Sequence, residues 1–146
     1  MKTLYKEIKI KTTKQFDVID ITEQVLEVVR DSKVNAGLLV VQSPHTTASI
    51  RLNSFEQMLR QDMFKSLYRL VPMDISYSHD LFEMKTTLTP SDRSNGHAHI
   101  KAFLMGSSES IIIHDSKLML GANQSVLFLE FDGARDRKIQ VKVIGD

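Results

Sequence analysis

Gly37-Leu38-Leu39-Val40-Val41-Gln42-Ser43-Pro44-His45-Thr46-Thr47-Ala48-Ser49-Ile50-Arg51-Leu52-Asn53 is the stretch whose reading decides the fold. Its first five residues are a branched apolar run, too short for an ordinary helix and suited to a core strand. From Ala48 onward the character alternates, with Ala48, Ile50 and Leu52 on one side and Ser49, Arg51 and Asn53 on the other. Period two is strand spacing. Two strands joined by a turn at Ser43-Pro44 place His45, Thr46 and Thr47 at the connection, where backbone donors are not all committed to a ladder. Such a corner can hold an anion or a metal. The plainer reading makes His45 a turn cap and the threonines ordinary β-formers.

Upstream, Leu4, Ile8 and Ile10 alternate with charged residues as far as Lys11, and Phe16 with Val18 suggests a second short strand; the two are expected to pair as a hairpin. Asp20-Ile21-Thr22-Glu23 reads as a helix start, with Ile21, Val25, Val28 and Val29 on one face and an end near Asp31-Ser32. Downstream, Ser54-Phe55-Glu56-Gln57 has the form of a capping box. It opens a helix in which Phe55, Leu59, Met63, Leu67 and Leu70 share a stripe, Met58 and Met63 serve as core filler, and Pro72 marks the stop.

From Met73 to Gly96 the pattern gives way to a long polar loop carrying His79-Asp80, and long loops in compact domains are usually functional or mobile. His99 to Met105 reads as a short helix closed by Gly106. Ile111–Ile113, Leu118–Leu120, Val126–Phe131 and Ile139–Ile144 then follow as four strands with short separators, an antiparallel meander. The order is β-β-α-β-β-α-loop-α-β-β-β-β over a single domain spanning residues 1–146. That is an α+β fold, a mainly antiparallel sheet with helices packed on it.

The 146 residues include no cysteine, which excludes a disulfide framework, a thiolate zinc site and a cysteine nucleophile. Nineteen basic and eighteen acidic residues leave a formal charge of +1, with no block of one sign that asks for nucleic acid. Charges interrupt the apolar residues at the start of the chain, no run approaches transmembrane length, and the expectation is a cytoplasmic protein with no membrane partner.

Four of the five histidines, His45, His79, His97 and His99, fall outside apolar stripes. A neutral imidazole ligates divalent metals and also serves acid–base chemistry near neutral pH, and Asp80 can orient a ring by accepting from its other nitrogen. His97-Ala98-His99 puts its two rings on different faces of a helix, so only one need face a site. His114 lies in a polar hairpin connection and is assigned to solvent.

Several motifs fall in order along the chain: His45-Thr46-Thr47-Ala48-Ser49 with Asn53, Asp62-Met63, Arg69-Leu70-Val71-Pro72, and His79-Asp80. Further on come Ala98-His99-Ile100-Lys101, Gly106-Ser107-Ser108, Leu120-Gly121 with Gln124, and Glu130 through Asp132-Gly133-Ala134-Arg135 with Arg137. In these the chain resembles the YjbQ-like family, often described as secondary thiamine-phosphate synthases. The resemblance implies a YjbQ-like fold assembled as a homotrimer, with a pocket near the subunit boundary and His45, His79 and His99 as the histidines that matter. It departs from the family's pattern at Gly121-Ala122-Asn123-Gln124, where a tryptophan is usual in place of Asn123, and at Ile112 and Ala134, where proline is common.

The implied reaction couples a pyrimidine pyrophosphate to a thiazole phosphate and expels pyrophosphate, making the protein a transferase acting on phosphorylated small molecules. Charge builds up on the leaving group, and cations or fixed donors must meet it. Thr46, Thr47, Ser107 and Ser108 can donate to phosphate and Arg135 can pair with it bidentately; Asn53 and Gln124 join this substrate-binding set through their motifs. His45, His79, Asp80, His99 and Glu130 form the expected catalytic set, with Glu130 either a base or a salt-bridge partner of Arg135 or Arg137. The three histidines could instead ligate a divalent metal, zinc or magnesium, backed by Asp80 or Asp62. Two alternatives stand beside catalysis: a non-catalytic module that binds a metal or a phosphorylated metabolite, and a structural trimer.

Overall fold

The computed structural model describes residues 1–81 and 93–146. The element order matches the sequence pattern, but its strands are shared between two antiparallel sheets. β1 (Lys2–Lys11), β3 (Gly37–Gln42), β5 (Ser108–His114), β6 (Lys117–Leu118) and β8 (Asp136–Gly145) form the larger, in the order β1-β8-β3-β5-β6. The smaller holds β2 (Asp17–Asp20), β4 (Ala48–Asn53) and β7 (Ser125–Glu130), in the order β2-β7-β4.

The hairpin expected of the first two strands does not form, because β1 lies along β8 and β2 along β7. Buried Thr12 makes the crossing between sheets: its N–H donates to the Arg135 carbonyl at 2.9 Å and its hydroxyl to Glu130 at 2.9 Å. The decisive stretch makes the same crossing, with β3 in one sheet and β4 in the other. The expected meander fails for a related reason. Val126, Leu127, Phe128 and Leu129 are all buried, so β7 needs cover on both faces and sits at the centre of the smaller sheet.

Alternate residues of β7 face two cores. Val126 and Phe128 meet Leu39, Ile139 and Val141 of the larger sheet and Val25 and Val29 of α1 (Thr22–Ser32). Leu127 and Leu129 meet Leu67 of α2 (Gln57–Leu70) and Ala98 and Ala102 of α3 (Gly96–Met105). Both halves of this arrangement follow from period two in a strand.

At α2 the structure corrects the expected cap. Glu56, not Ser54, is the N-cap, and its carboxylate accepts from the N–H groups of Met58 at 2.8 Å and Leu59 at 2.7 Å. Leu67 is the one buried residue of the stripe, while Met58 is 64% exposed and fills no core. α3 begins three residues before the expected start and stops at Gly106, whose φ of 88° favours glycine. Within the expected loop a 3-10 turn covers Ser78–Asp80, and positions 82–92 lie outside the described residues.

Candidate functional site

The crossing from β3 to β4 puts the His45-Thr46-Thr47 corner opposite the first turns of α3, and the return from β7 to β8 brings Asp132, Arg135 and Arg137 to the same place. Between them lies a polar cavity of about 290 Å³, lined by His45, Thr46, Asn95, His99, Asp132 and Arg135 among others. A neighbouring cavity shares His45, Thr46 and His99 and extends to Gly106 and Ser107. The fold brings His45, Thr46, His99 and Arg135 to one cavity, while His97 turns to the other side of α3 and meets Lys101.

Asp132 organises the floor. It is 2% exposed and accepts from Asn95 Nδ2 at 2.9 Å and from Arg135 Nη2 at 2.7 Å, with Arg93 Nε 3.2 Å from its other oxygen. Asn95 uses its own carbonyl oxygen for His79 Nε2 at 3.1 Å, so that nitrogen of His79 carries the proton. The backbone N–H groups of Asn95 and Gly96 both donate to Asp80 Oδ1 at 3.0 Å. Asp80 therefore caps the start of α3, where free N–H groups and the helix dipole favour an anion.

Glu130 serves the scaffold instead of the cavity. Fully buried, its carboxylate accepts from both Arg137 Nε and Nη2, from Thr12 Oγ1 and from the Asp132 N–H. Four donors leave a carboxylate no free position for work as a base. Arg137 also donates to the buried Thr47 hydroxyl at 2.8 Å, so Thr47 holds the ion pair in place. Of the two salt-bridge partners considered for Glu130, Arg137 is the one used, and Arg135 goes to Asp132.

His45 and His99 are tuned toward neutrality. His45 accepts the Lys138 N–H on Nε2 at 2.9 Å, which leaves its proton on Nδ1. Burial and the nearby Arg137 guanidinium lower its pKa below the usual histidine value. Burial and the neighbouring His79 ring do the same for His99, and those two rings meet edge to face with centroids 4.6 Å apart. His79 and His99 are thus paired, with His45 across the cavity.

A metal would need lone pairs from all three rings. His45 offers none as it stands, its Nε2 accepting the Lys138 N–H and its Nδ1 carrying the proton, whereas His79, donating from Nε2 to Asn95, keeps a lone pair on Nδ1; among the described residues no three histidine or carboxylate side chains form a ligand group. In this arrangement His45 would have to turn away from Lys138 before it could join His79 and His99 around a zinc or magnesium ion.

Two residues of the expected substrate-binding set, Asn53 and Gln124, lie elsewhere. Asn53, at the far end of β4, shares a different cavity with Asp62 and accepts the Ser54 N–H. Gln124 staples its own turn by accepting the Gly121 N–H at 2.8 Å. His114 is exposed, as assigned. In the other direction, Asn95 and Asp132 were not among the expected site residues. Asp132 stood inside a quoted motif, and an asparagine just before a helix beginning with glycine was the available sign for Asn95.

The family described as UPF0047 protein YjbQ-like matches residues 6–146. A UPF0047 protein of Methanocaldococcus jannaschii is 37% identical over all of this chain and 97% of its own length. The UPF0047 protein YugU of Bacillus subtilis is 32% identical over 97% of this chain and its full length. Among solved structures, a YbjQ-like protein of unknown function from Sulfolobus solfataricus superposes with a TM-score of 0.90, at 29% identity and 99% coverage of each chain. An uncharacterised YjbQ/UPF0047 protein from Clostridium acetobutylicum gives a TM-score of 0.83 at 42% identity, covering 94% of this chain and 98% of its own.

Proposed function

Since the chain belongs to the UPF0047 protein YjbQ-like family, we propose that the cavity between His45 and His99 binds a phosphorylated small molecule and carries out transfer chemistry on it. The observation that supports this reading best is the sharing of one polar cavity by Arg135, the Thr46 hydroxyl and two imidazoles held neutral. Asp132 holds one edge of the Arg135 guanidinium, and the rest is available to phosphate oxygens. Thr46 and Ser107 add hydroxyl donors from the neighbouring cavity. His99, neutral and only partly buried, is placed to accept a proton, with His79 at its edge.

Thiamine-phosphate synthesis is the reaction of this class that the resemblance implies. A carbon–nitrogen bond forms to the thiazole as the carbon–oxygen bond to pyrophosphate breaks, and pyrophosphate leaves with the electron pair. Arg135 and Thr46 would meet that growing charge. The test gives purified protein the two substrates and measures thiamine phosphate and pyrophosphate, alongside calorimetric binding of pyrophosphate. The reading expects turnover that Arg135→Gln lowers about 100-fold or more, the cost of removing one donor to the developing charge. Binding without turnover makes the protein a phosphometabolite-binding module, and neither binding nor turnover sinks the reading.

The homotrimer has its own support. On the outer face of the larger sheet, Leu38 stands between Ile112 and Ile144 in register, and the three are 52%, 59% and 43% exposed. An apolar row across three strands suits contact between copies. Sedimentation equilibrium tests it, with Leu38→Glu expected to yield monomers; a native chain that sediments as a monomer overturns it.

A further inference from the structure

A further cavity lies on the other side of α3, of about 310 Å³, near the small end of the roughly 300–1,000 Å³ found for small-molecule sites. Its walls are largely aromatic, from Phe16, Phe64 and Phe131, and among the described residues every charged one that lines it is a cation: Lys65, Arg69 and Lys101. None of these groups belongs to the site around His45.

Lys101 is the exceptional residue. It is 2% exposed, yet among the described residues no carboxylate pairs with it. Its ammonium donates to His97 Nδ1 at 3.1 Å, one helical turn back, and lies 5.2 Å from the centre of the Phe16 ring. With Nδ1 accepting, the His97 proton sits on Nε2, and that buried N–H has no partner among the described residues. Burial alone lowers the Lys101 amine from 10.5 to about 8. A buried cation without a counter-ion is costly, and a ligand that brings the missing charge relieves that cost.

We propose that this cavity binds a small organic carboxylate, its apolar body among Phe16, Phe64 and Phe131 and its carboxylate on the Lys101 ammonium. One negative charge balances one buried amine, whereas a doubly charged phosphate would leave an excess of negative charge in the same apolar walls. Lys65 and Arg69, from α2, attract the anion without being buried themselves. Among the described residues, the titratable groups beside this space, apart from Lys101, are Lys65, Tyr68 and Arg69 on α2 in its lining and His97 on α3 behind Lys101; none of them is an acid.

The experiment measures benzoate, its uncharged analogue benzamide and phenyl phosphate by calorimetry and thermal shift, using the full chain. Benzoate should bind and raise the Tm, with benzamide at least tenfold weaker, the ratio that about 1.4 kcal/mol gives. Near pH 8, binding should take up a fraction of a proton as Lys101 becomes fully charged, seen as heat that depends on the buffer. Lys101→Met should fold with an unchanged or higher Tm, lose benzoate affinity at least tenfold and take up no proton; Arg69→Gln should weaken benzoate by a smaller factor. The proposal is overturned if benzamide matches benzoate, if phenyl phosphate binds more tightly than benzoate, or if Lys101→Met keeps its affinity. It is equally overturned if benzoate gives neither heat nor a Tm shift at concentrations that saturate a Kd on the order of 1 mM. Should Lys101→Met not fold, the comparison of benzoate with benzamide on the unaltered chain decides.

Discussion

Arg137 and Lys101 are both buried cations, 5% and 2% exposed, and their surroundings are opposite. Arg137 spends its guanidinium on Glu130 and Thr47, closing a network that ties β7, β8 and the corner before β4 together. Lys101 has a histidine nitrogen and a ring face, and no anion among the described residues. A buried charge that is fully met is part of the scaffold; one left unmet marks a place where something else must arrive.

The sharpest way to break the comparison is to leave Arg137 as Lys101 is. Glu130→Ala strands the guanidinium, and urea denaturation should show a loss of about 3–5 kcal/mol. A loss below about 1 kcal/mol would mean that the pair does not hold the fold. Next in size is Arg135→Gln, which should weaken pyrophosphate by about 1.5–3 kcal/mol, roughly 10-fold to 100-fold, while the fold persists because Asn95 and Arg93 still meet Asp132. Unchanged pyrophosphate affinity would remove Arg135 from the site.

The titration of Lys101 gives a smaller effect with a definite sign. Its amine loses its proton near 8 in the folded chain and near 10.5 in the unfolded one, so between those values the unfolded state binds more protons. Stability from this group therefore rises with pH from about 8 toward 10.5, and Lys101→Met should flatten that rise in thermal melts taken across the window. His45, His97 and His99, also lowered, act in the same sense at lower pH: their contribution is lost as acid takes the medium below about 6.5. The smallest effect belongs to Leu38→Glu on the outer sheet face. Measured on a monomeric sample, it should change stability by no more than about 0.5 kcal/mol.

These contrasts bear on what the sequence discloses. Strand and helix order could be read from periodicity, because each element carries its own pattern of apolar residues. Pairing could not, because the same alternation suits either sheet and the crossings at Thr12 and Ser43-Pro44 are settled by distant partners. Within the site, the His45 corner, His99 and Arg135 were legible as polar residues at places poor for packing. Asn95 was not, since its role depends on Asp132, 37 positions away. Lys101 stood in view inside a quoted motif, but a lysine on a helix is ordinarily solvated, and its burial becomes visible only when α2 and Phe16 close over it.

α3 carries both cavities on one rigid rod. His99 and Lys101 are two positions apart, about 200° around the helix, so one serves each side. Any turn of the helix about its axis that carries Lys101 closer to the aromatic cavity carries the His99 ring through the same angle relative to Thr46. If an occupant on one side turns α3, thermodynamic reciprocity requires that the two pockets change each other's affinity by the same factor.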